Sequence, residues 1–264
     1  ACPYSKRIGG LGDGPKWTCN LDRLKDIGQD RWKADVASGK HISINADDGG
    51  ESPSSTAAAV ATAEYDASKY GCLVYSIGSK GNYLFEDAIY GQLGREACEI
   101  HVFDFSRNYD RKENAERNIH FHQWGYKGSK TQDADLPAGK AHMFVDLFEI
   151  IKRLGHQDRV IDLFKIDCEG CEYISYEDFT KYEKIRQILI EVHAPPRLRD
   201  EDAKAPNAQV ESPLQRQTKV LVNFFDSFAQ NNLIMFSKEP NPWCRGSCLE
   251  YSFIRLKPSF LNPN

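Results

Sequence analysis

From Cys72 onward the chain alternates short apolar runs with polar stretches of helical period. Seven runs read as strands: 72–77, 99–104, 119–123, 160–167, 186–192, 233–237 and 249–256. Most are apolar at nearly every position, which suits a parallel sheet covered on both faces. The stretches between them carry apolar stripes. Leu84, Phe85, Ala88, Ile89 and Leu93 share one helical face. Phe144, Leu147, Phe148, Ile151 and Leu154 share another, and Val220, Leu221, Phe224, Phe225 and Phe228 a third. Such stripes are core-packing surfaces. Strand and helix in turn predict an α/β fold with a doubly wound, mostly parallel sheet.

Residues 1–55 have a different pattern. They are rich in Gly, Asp, Ser and Lys, with isolated apolar anchors at Trp17, Leu21, Leu24 and Trp32. They read as an irregular N-terminal extension packed on a main domain of residues 56–264. Residues 45–55 are a loop by composition. Ser55 or Thr56 can cap an alanine-rich helix running to about Ser68. Residues 194–213 have no apolar period, and loops of that length are usually functional or disordered.

Composition narrows the setting. A chain of 264 residues fits one large domain with an addition, or at most two domains. A net charge of −4 without a Lys/Arg cluster argues against a nucleic-acid partner. No apolar run approaches the roughly 20 residues that cross a bilayer. Eight cysteines, an even number, suit an oxidising compartment, and a start at Ala1 suits a secreted protein whose signal peptide has been removed. Cys72 and Cys98 open neighbouring strands and form the preferred disulfide; Cys244 and Cys248 form a second, local pair. The spacings Cys168-x-x-Cys171 and Cys244-x-x-x-Cys248 are also ones that zinc tolerates.

The candidate chemistry gathers at the carboxyl ends of the strands, where open α/β sheets bind ligands. The first run meets a glycine turn, Ser76 to Gly81, with Gly78 and Gly81 letting backbone N–H groups approach a ligand. Asp104 ends the second run, 23 residues beyond Gly81, close to the ~20-residue spacing of a ribose-binding carboxylate. Trp124, after the third run, either stacks on a purine or belongs to the core. Asp167 and Glu169 follow the fourth run; they can act as a general base, position a substrate, hold a metal or cap the next helix. His193 ends the fifth run, as a proton acceptor or a structural hydrogen-bonding group. The other histidines show no informative spacing. The turn lacks the GxGxxG of dinucleotide enzymes, which argues against a nicotinamide dehydrogenase.

These residues carry a resemblance. The stretches Arg7 to Cys19, CLVYSIG (72–78), CEIHVFDFS (98–106), LFKIDCEGCEY (163–173), IRQILIEVH (185–193) and CLEYSFI (248–254) resemble class I S-adenosylmethionine-dependent methyltransferases. The likeness is closer to the secreted methyltransferase-like protein 24 group and more distant to FkbM-type enzymes. It implies a Rossmann-like, seven-stranded sheet whose last strand is antiparallel. It also implies S-adenosylmethionine as cofactor, with Gly78 and Gly81 lining its methionine portion and Asp104 holding its ribose; Ser76 and Trp124, at the ends of the first and third runs, complete the candidate cofactor-binding set. By this reading Asp167, Glu169 and His193 face the transferred methyl group. The expected function is O-methylation of a small-molecule, glycan or protein substrate of the secretory pathway or extracellular space. The alternative is a catalytically inactive binding or assembly module with a protein partner.

Overall fold

In the computed structural model, the described residues are 2–10, 12–38, 66–195 and 212–257. The expected loop at 45–55 and most of the expected helix at 56–68 lie outside them, as do residues 196–211 of the long polar segment.

The seven apolar runs form one sheet. In chain order its strands are β3 (Cys72–Ile77), β4 (Cys98–Phe103), β5 (Ile119–His122), β8 (Ile161–Ile166), β9 (Ile185–His193), β10 (Leu233–Pro240) and β11 (Cys248–Arg255). Their spatial order is β10-β11-β9-β8-β3-β4-β5. The pairs β3–β4, β3–β8, β4–β5 and β8–β9 are parallel, whereas β11 runs antiparallel to both β9 and β10. The fold is therefore a doubly wound, Rossmann-like sheet with its last strand reversed. Chain order turns back between β3 and β8, which leaves a crevice above those two strands, the usual place for a ligand.

Both faces are covered. On one face α5 (Leu147–Leu154), α6 (Glu172–Lys181) and α7 (Pro213–Gln230) present Leu147, Ile150, Phe179, Phe224 and Phe228 to Leu73, Phe164, Ile188 and Phe253. On the other, a 3-10 turn (Leu21–Lys25), α1 (Ile27–Ala37) and α3 (Leu84–Leu93) bury Leu21, Leu24, Ile27, Phe85 and Ile89 against Val74, Ile100 and Leu189. The strands are buried at almost every position for this reason. The smaller helices are α2 (Ala67–Tyr70), at the C-terminal end of the expected alanine-rich helix, and α4 (Lys112–Glu116). Beyond β5 a two-stranded parallel pair, β6 (Gly125–Tyr126) with β7 (Phe144–Val145), extends the cavity wall.

The N-terminal segment is not irregular where it is described. β1 (Ser5–Ile8) and β2 (Lys16–Cys19) form an antiparallel hairpin, followed by the 3-10 turn and α1. Apolar periodicity could not reveal the hairpin, because polar contacts fix it to the domain. The Gln187 side chain accepts from the Cys19 N–H and donates to the Cys19 carbonyl, both at 2.8 Å. Arg7 and Trp17 donate to Glu239 at 2.8 and 2.9 Å. Arg31 of α1 reaches the fully buried Asp162 at 2.5 Å, and Asp162 also accepts from the Leu73 N–H.

All eight cysteines are paired: Cys2–Cys19, Cys72–Cys98, Cys168–Cys171 and Cys244–Cys248. Cys72 and Cys98 are register partners on adjacent strands, as expected of a bridge between strand starts. Zinc has no thiolate to bind in this arrangement. No described helix is long and apolar enough to cross a membrane.

Candidate functional site

A cavity of about 500 Å³ opens above the carboxyl ends of β3, β4 and β8. Its floor is the turn after β3. Gly78 has φ +75°, and a Cβ there would lie 1.7 Å from the Asp167 carbonyl oxygen. Only glycine lets the β3 and β8 loops approach this closely. Gly81 has φ +78° and is covered by the Tyr109 ring, 2.7 Å from where a Cβ would stand.

Asp104 lines the opposite side and is buried. Its Oδ2 accepts from the Lys80 N–H at 2.6 Å; its Oδ1 accepts from the Ser106 N–H at 2.9 Å and the Ser106 hydroxyl at 2.6 Å. A carboxylate offers about four acceptor positions, so roughly one is left open, and the Ser106 hydroxyl is replaceable. The glycine turn and Asp104 are thus joined directly, through Lys80. Phe85, Phe103, Phe105, Trp124, Tyr126 and Phe144 make the aromatic part of the wall. Phe105 and Phe144 pack with ring centres 4.6 Å apart, while Trp124 stacks on the His122 ring, 4.6 Å away, and has the Arg153 guanidinium over its ring at 5.2 Å.

Lys165, Asp167, Cys168, Glu169 and Cys171 line the β8 side. Asp167 stands 3.5 Å from the Lys16 ammonium and 4.0 Å from that of Lys165. Glu169 is largely exposed and has φ +58°. Asp13 and Gly14, from the loop of the β1–β2 hairpin, also line the cavity.

The sequence candidates divide. Gly78, Asp104, Trp124, Asp167 and Glu169 line one cavity. Ser76 is fully buried and Gly81 lies beneath Tyr109; neither is on the wall. His193 is also off the wall. Its Nδ1 is 2.9 Å from Glu172, and its Nε2 is 3.2 Å from Glu191 and 3.5 Å from Glu169. Burial alone would lower its pKa, but the bonds to Glu172 and Glu191 outweigh it and push it up to about 10. His193 is therefore an imidazolium at neutral pH. Of the two expected roles for His193, proton acceptor or structural hydrogen-bonding group, these contacts favour the second.

Sequence reading missed Lys16 altogether. This lysine is fully buried, and it lies 2.6 Å from Glu250 and 3.8 Å from Glu191 as well as beside Asp167. Burial disfavours its charge, yet Asp167 and Glu250 keep its pKa raised. Burial holds the Glu250 carboxyl well above the usual range, and Glu191 beside it adds to the effect. A lone lysine in a polar stretch gives no sequence signal of this kind.

It also missed a histidine network on the β4–β5 face. His122 Nε2 is 2.9 Å from His101 Nδ1, and His101 Nε2 is 2.7 Å from Glu99. Arg159 also bonds Glu99, while Tyr75 bonds His156 at 2.8 Å. Glu99, His101 and His120 are close enough to share a cation. However, both His101 nitrogens already have hydrogen-bond partners, and the His101 and His120 rings are stacked, so their lone pairs do not converge. The second cluster, Glu191 and His193 with Cys244 and Cys248, has its sulfurs tied in a disulfide.

The family of methyltransferase domains matches residues 1–255. The chain belongs to that family. Its match reaches across the β1–β2 hairpin as well as the sheet, so the hairpin lies within the matched methyltransferase domain. No curated protein matches the chain. Among solved structures, the chain is similar to fibrillarin from Aeropyrum pernix with natively bound S-adenosyl-L-methionine: 10% identity, TM-score 0.40, covering 70% of this chain and 66% of that one. It is also similar to an O-methyltransferase from Bacillus cereus in complex with SAH: 9% identity, TM-score 0.40, covering 88% and 92%.

Proposed function

We propose that this methyltransferase domain binds S-adenosylmethionine in the cavity above β3, β4 and β8 and transfers its methyl group to an oxygen of an acceptor met in the secretory pathway or outside the cell. One observation carries the reading. The glycine turn and Asp104 lie at the tips of adjacent strands, joined through the Lys80 N–H, on the wall of one cavity that also holds Asp167. Asp104 has acceptor capacity left for ribose hydroxyls, and Phe105, Trp124 and Phe144 supply faces for a base. The bound cofactor supplies an electrophilic methyl group; the chain's own residues orient the acceptor and take one proton. Asp167 and Glu169 are the carboxylates placed to take it. Four disulfides accord with an oxidising compartment. The sequence stretches noted above support membership of the secreted methyltransferase-like protein 24 group.

A second reading, a domain that binds the cofactor without turnover, draws on a specific observation. Beside the β8 tip His193 is held between Glu172 and Glu191, which against the effect of burial push its pKa up to about 10, and Asp167 is flanked by two lysines. Calorimetric titration with S-adenosylmethionine tests binding. A panel of glycans, small phenols and secreted proteins, with methyl transfer as readout, separates the two readings.

A further inference from the structure

Lys16 stands behind the β8 tip and belongs to none of the cavity's walls. It comes from the hairpin strand β2, which the Gln187 amide pins to the sheet and the Cys2–Cys19 disulfide ties to the start of the N-terminal segment. Its ammonium is enclosed by Asp167 at 3.5 Å, Glu250 at 2.6 Å and Glu191 at 3.8 Å. Glu191 in turn faces His193, and Asp167 faces Lys165. Of these three carboxylates only Asp167 reaches the cavity.

A buried ammonium is held at a cost in hydration unless its neighbours compensate it. Here the compensation involves a carboxylate that also lines the site. Two consequences follow. The Asp167 carboxylate is fixed in orientation by a partner on its protein side. Its charge, as felt in the cavity, is also partly cancelled, because a cation at short range in a low-dielectric wall is poorly screened.

On the reading that the cavity takes S-adenosylmethionine, this has a chemical meaning. The cofactor carries a sulfonium, whereas the product S-adenosylhomocysteine has a neutral thioether. A strongly negative wall would hold the cation far better than the product; a compensated one brings the two closer together.

We infer that Lys16 is a positioning residue that compensates Asp167 and thereby sets the balance of affinity between the cationic methyl donor and its neutral product. The hairpin that carries Lys16 is then part of the site's electrostatics as well as, through Asp13 and Gly14, its lining.

The test is calorimetric titration of the full chain with S-adenosylmethionine and, separately, S-adenosylhomocysteine, at one pH and low salt. Unaltered protein, Lys16→Arg and Lys16→Met are compared. In Lys16→Met the preference for the donor over the product should rise by about threefold or more, because a carboxylate that keeps only the more distant Lys165 as partner then faces the sulfonium. Lys16→Arg should keep the original ratio within about twofold, since the charge is retained. If Lys16→Met does not fold, the double variant Lys16→Met/Glu250→Gln, which removes both members of the closest pair, takes its place and should move the ratio in the same direction. Equal weakening of both ligands, or an unchanged ratio, overturns this inference while leaving the donor site standing. Failure of the folded, unaltered protein to bind either ligand overturns the donor reading itself, and the inference with it.

Discussion

The Asp167 carbonyl oxygen occupies the space that a side chain on Gly78 would need: a Cβ there would stand 1.7 Å away. The two residues end adjacent parallel strands, β3 and β8, at the point where chain order reverses. Gly78 thus keeps two loops in contact and gives the cavity its floor. Gly78→Ala adds both a left-handed backbone strain and a collision with main chain, which cannot move like the end of a side chain. It should destabilise the protein by about 3 kcal/mol or more, read from urea unfolding midpoints at constant slope. An effect within about 0.5 kcal/mol would mean that the loops part easily.

Asp104→Ala should weaken S-adenosylmethionine binding at least tenfold, about 1.4 kcal/mol, since charge-assisted hydrogen bonds are worth that or more. The alanine also releases the Lys80 N–H, so both the turn and the proposed ribose contact are affected. Titration calorimetry on the folded variant gives the answer, and an unchanged affinity would assign Asp104 to holding the Lys80 turn alone.

Much of this arrangement was legible in the sequence. The strands β3 to β11 of the large sheet are long enough and apolar enough to declare themselves, and Gly78, Asp104 and Asp167 sit at their tips because strand ends are where polar residues resume. The parts that stayed hidden depend on partners far apart in sequence. Lys16 meets Glu250 across 234 positions. His193 looked like a base because nothing local showed that Glu172, a helix residue, and Glu191, two positions earlier, would both bond its ring. The histidines of β4 and β5 have no common spacing; the parallel register alone, His101 opposite His120, brings them together.

Stability should fall on acidification. Burial pushes the His101 and His122 imidazoles down to about 4, against an ordinary value near 6.5. The unfolded chain therefore takes up protons near pH 6.5 that the native state refuses until about pH 4, and native stability is lost as pH falls between those values. Glu99 adds to the loss at lower pH. Burial disfavours its charge, but His101, His156 and Arg159 hold it well below the usual carboxylate range. Discounted for the partial exposure of His122 and Glu99, the combined loss should be on the order of 3 kcal/mol by pH 4. His193 works in the other direction: its contribution is complete below about pH 6.5 and disappears as pH rises towards about 10. Unfolding midpoints across pH 4 to 10 should show both flanks, and His193→Gln should flatten the alkaline one alone. A profile level from pH 7 to pH 4 would contradict the burial described for His101 and His122.

A mild thiol should open Cys168–Cys171 before the other disulfides. Both of its cysteines are partly exposed, whereas Cys19, Cys72, Cys98 and Cys248 are buried, placing at least one buried cysteine in each other pair. It also closes the shortest loop, with a sequence separation of 3, and so removes little chain entropy. Alkylation during graded reduction, followed by peptide mass spectrometry, should label Cys168 and Cys171 first. Earlier labelling of Cys72 and Cys98 would go against this.

The central claim is that the cavity joining Gly78, Asp104 and Asp167 is a methyl-donor site. Its most direct test is titration of the folded, disulfide-intact protein with S-adenosylmethionine, with Asp104→Ala run alongside. The account predicts saturable binding at one site per chain that weakens at least tenfold, about 1.4 kcal/mol, in the variant. Absence of binding to the unaltered protein, or binding that Asp104→Ala leaves untouched, would contradict it.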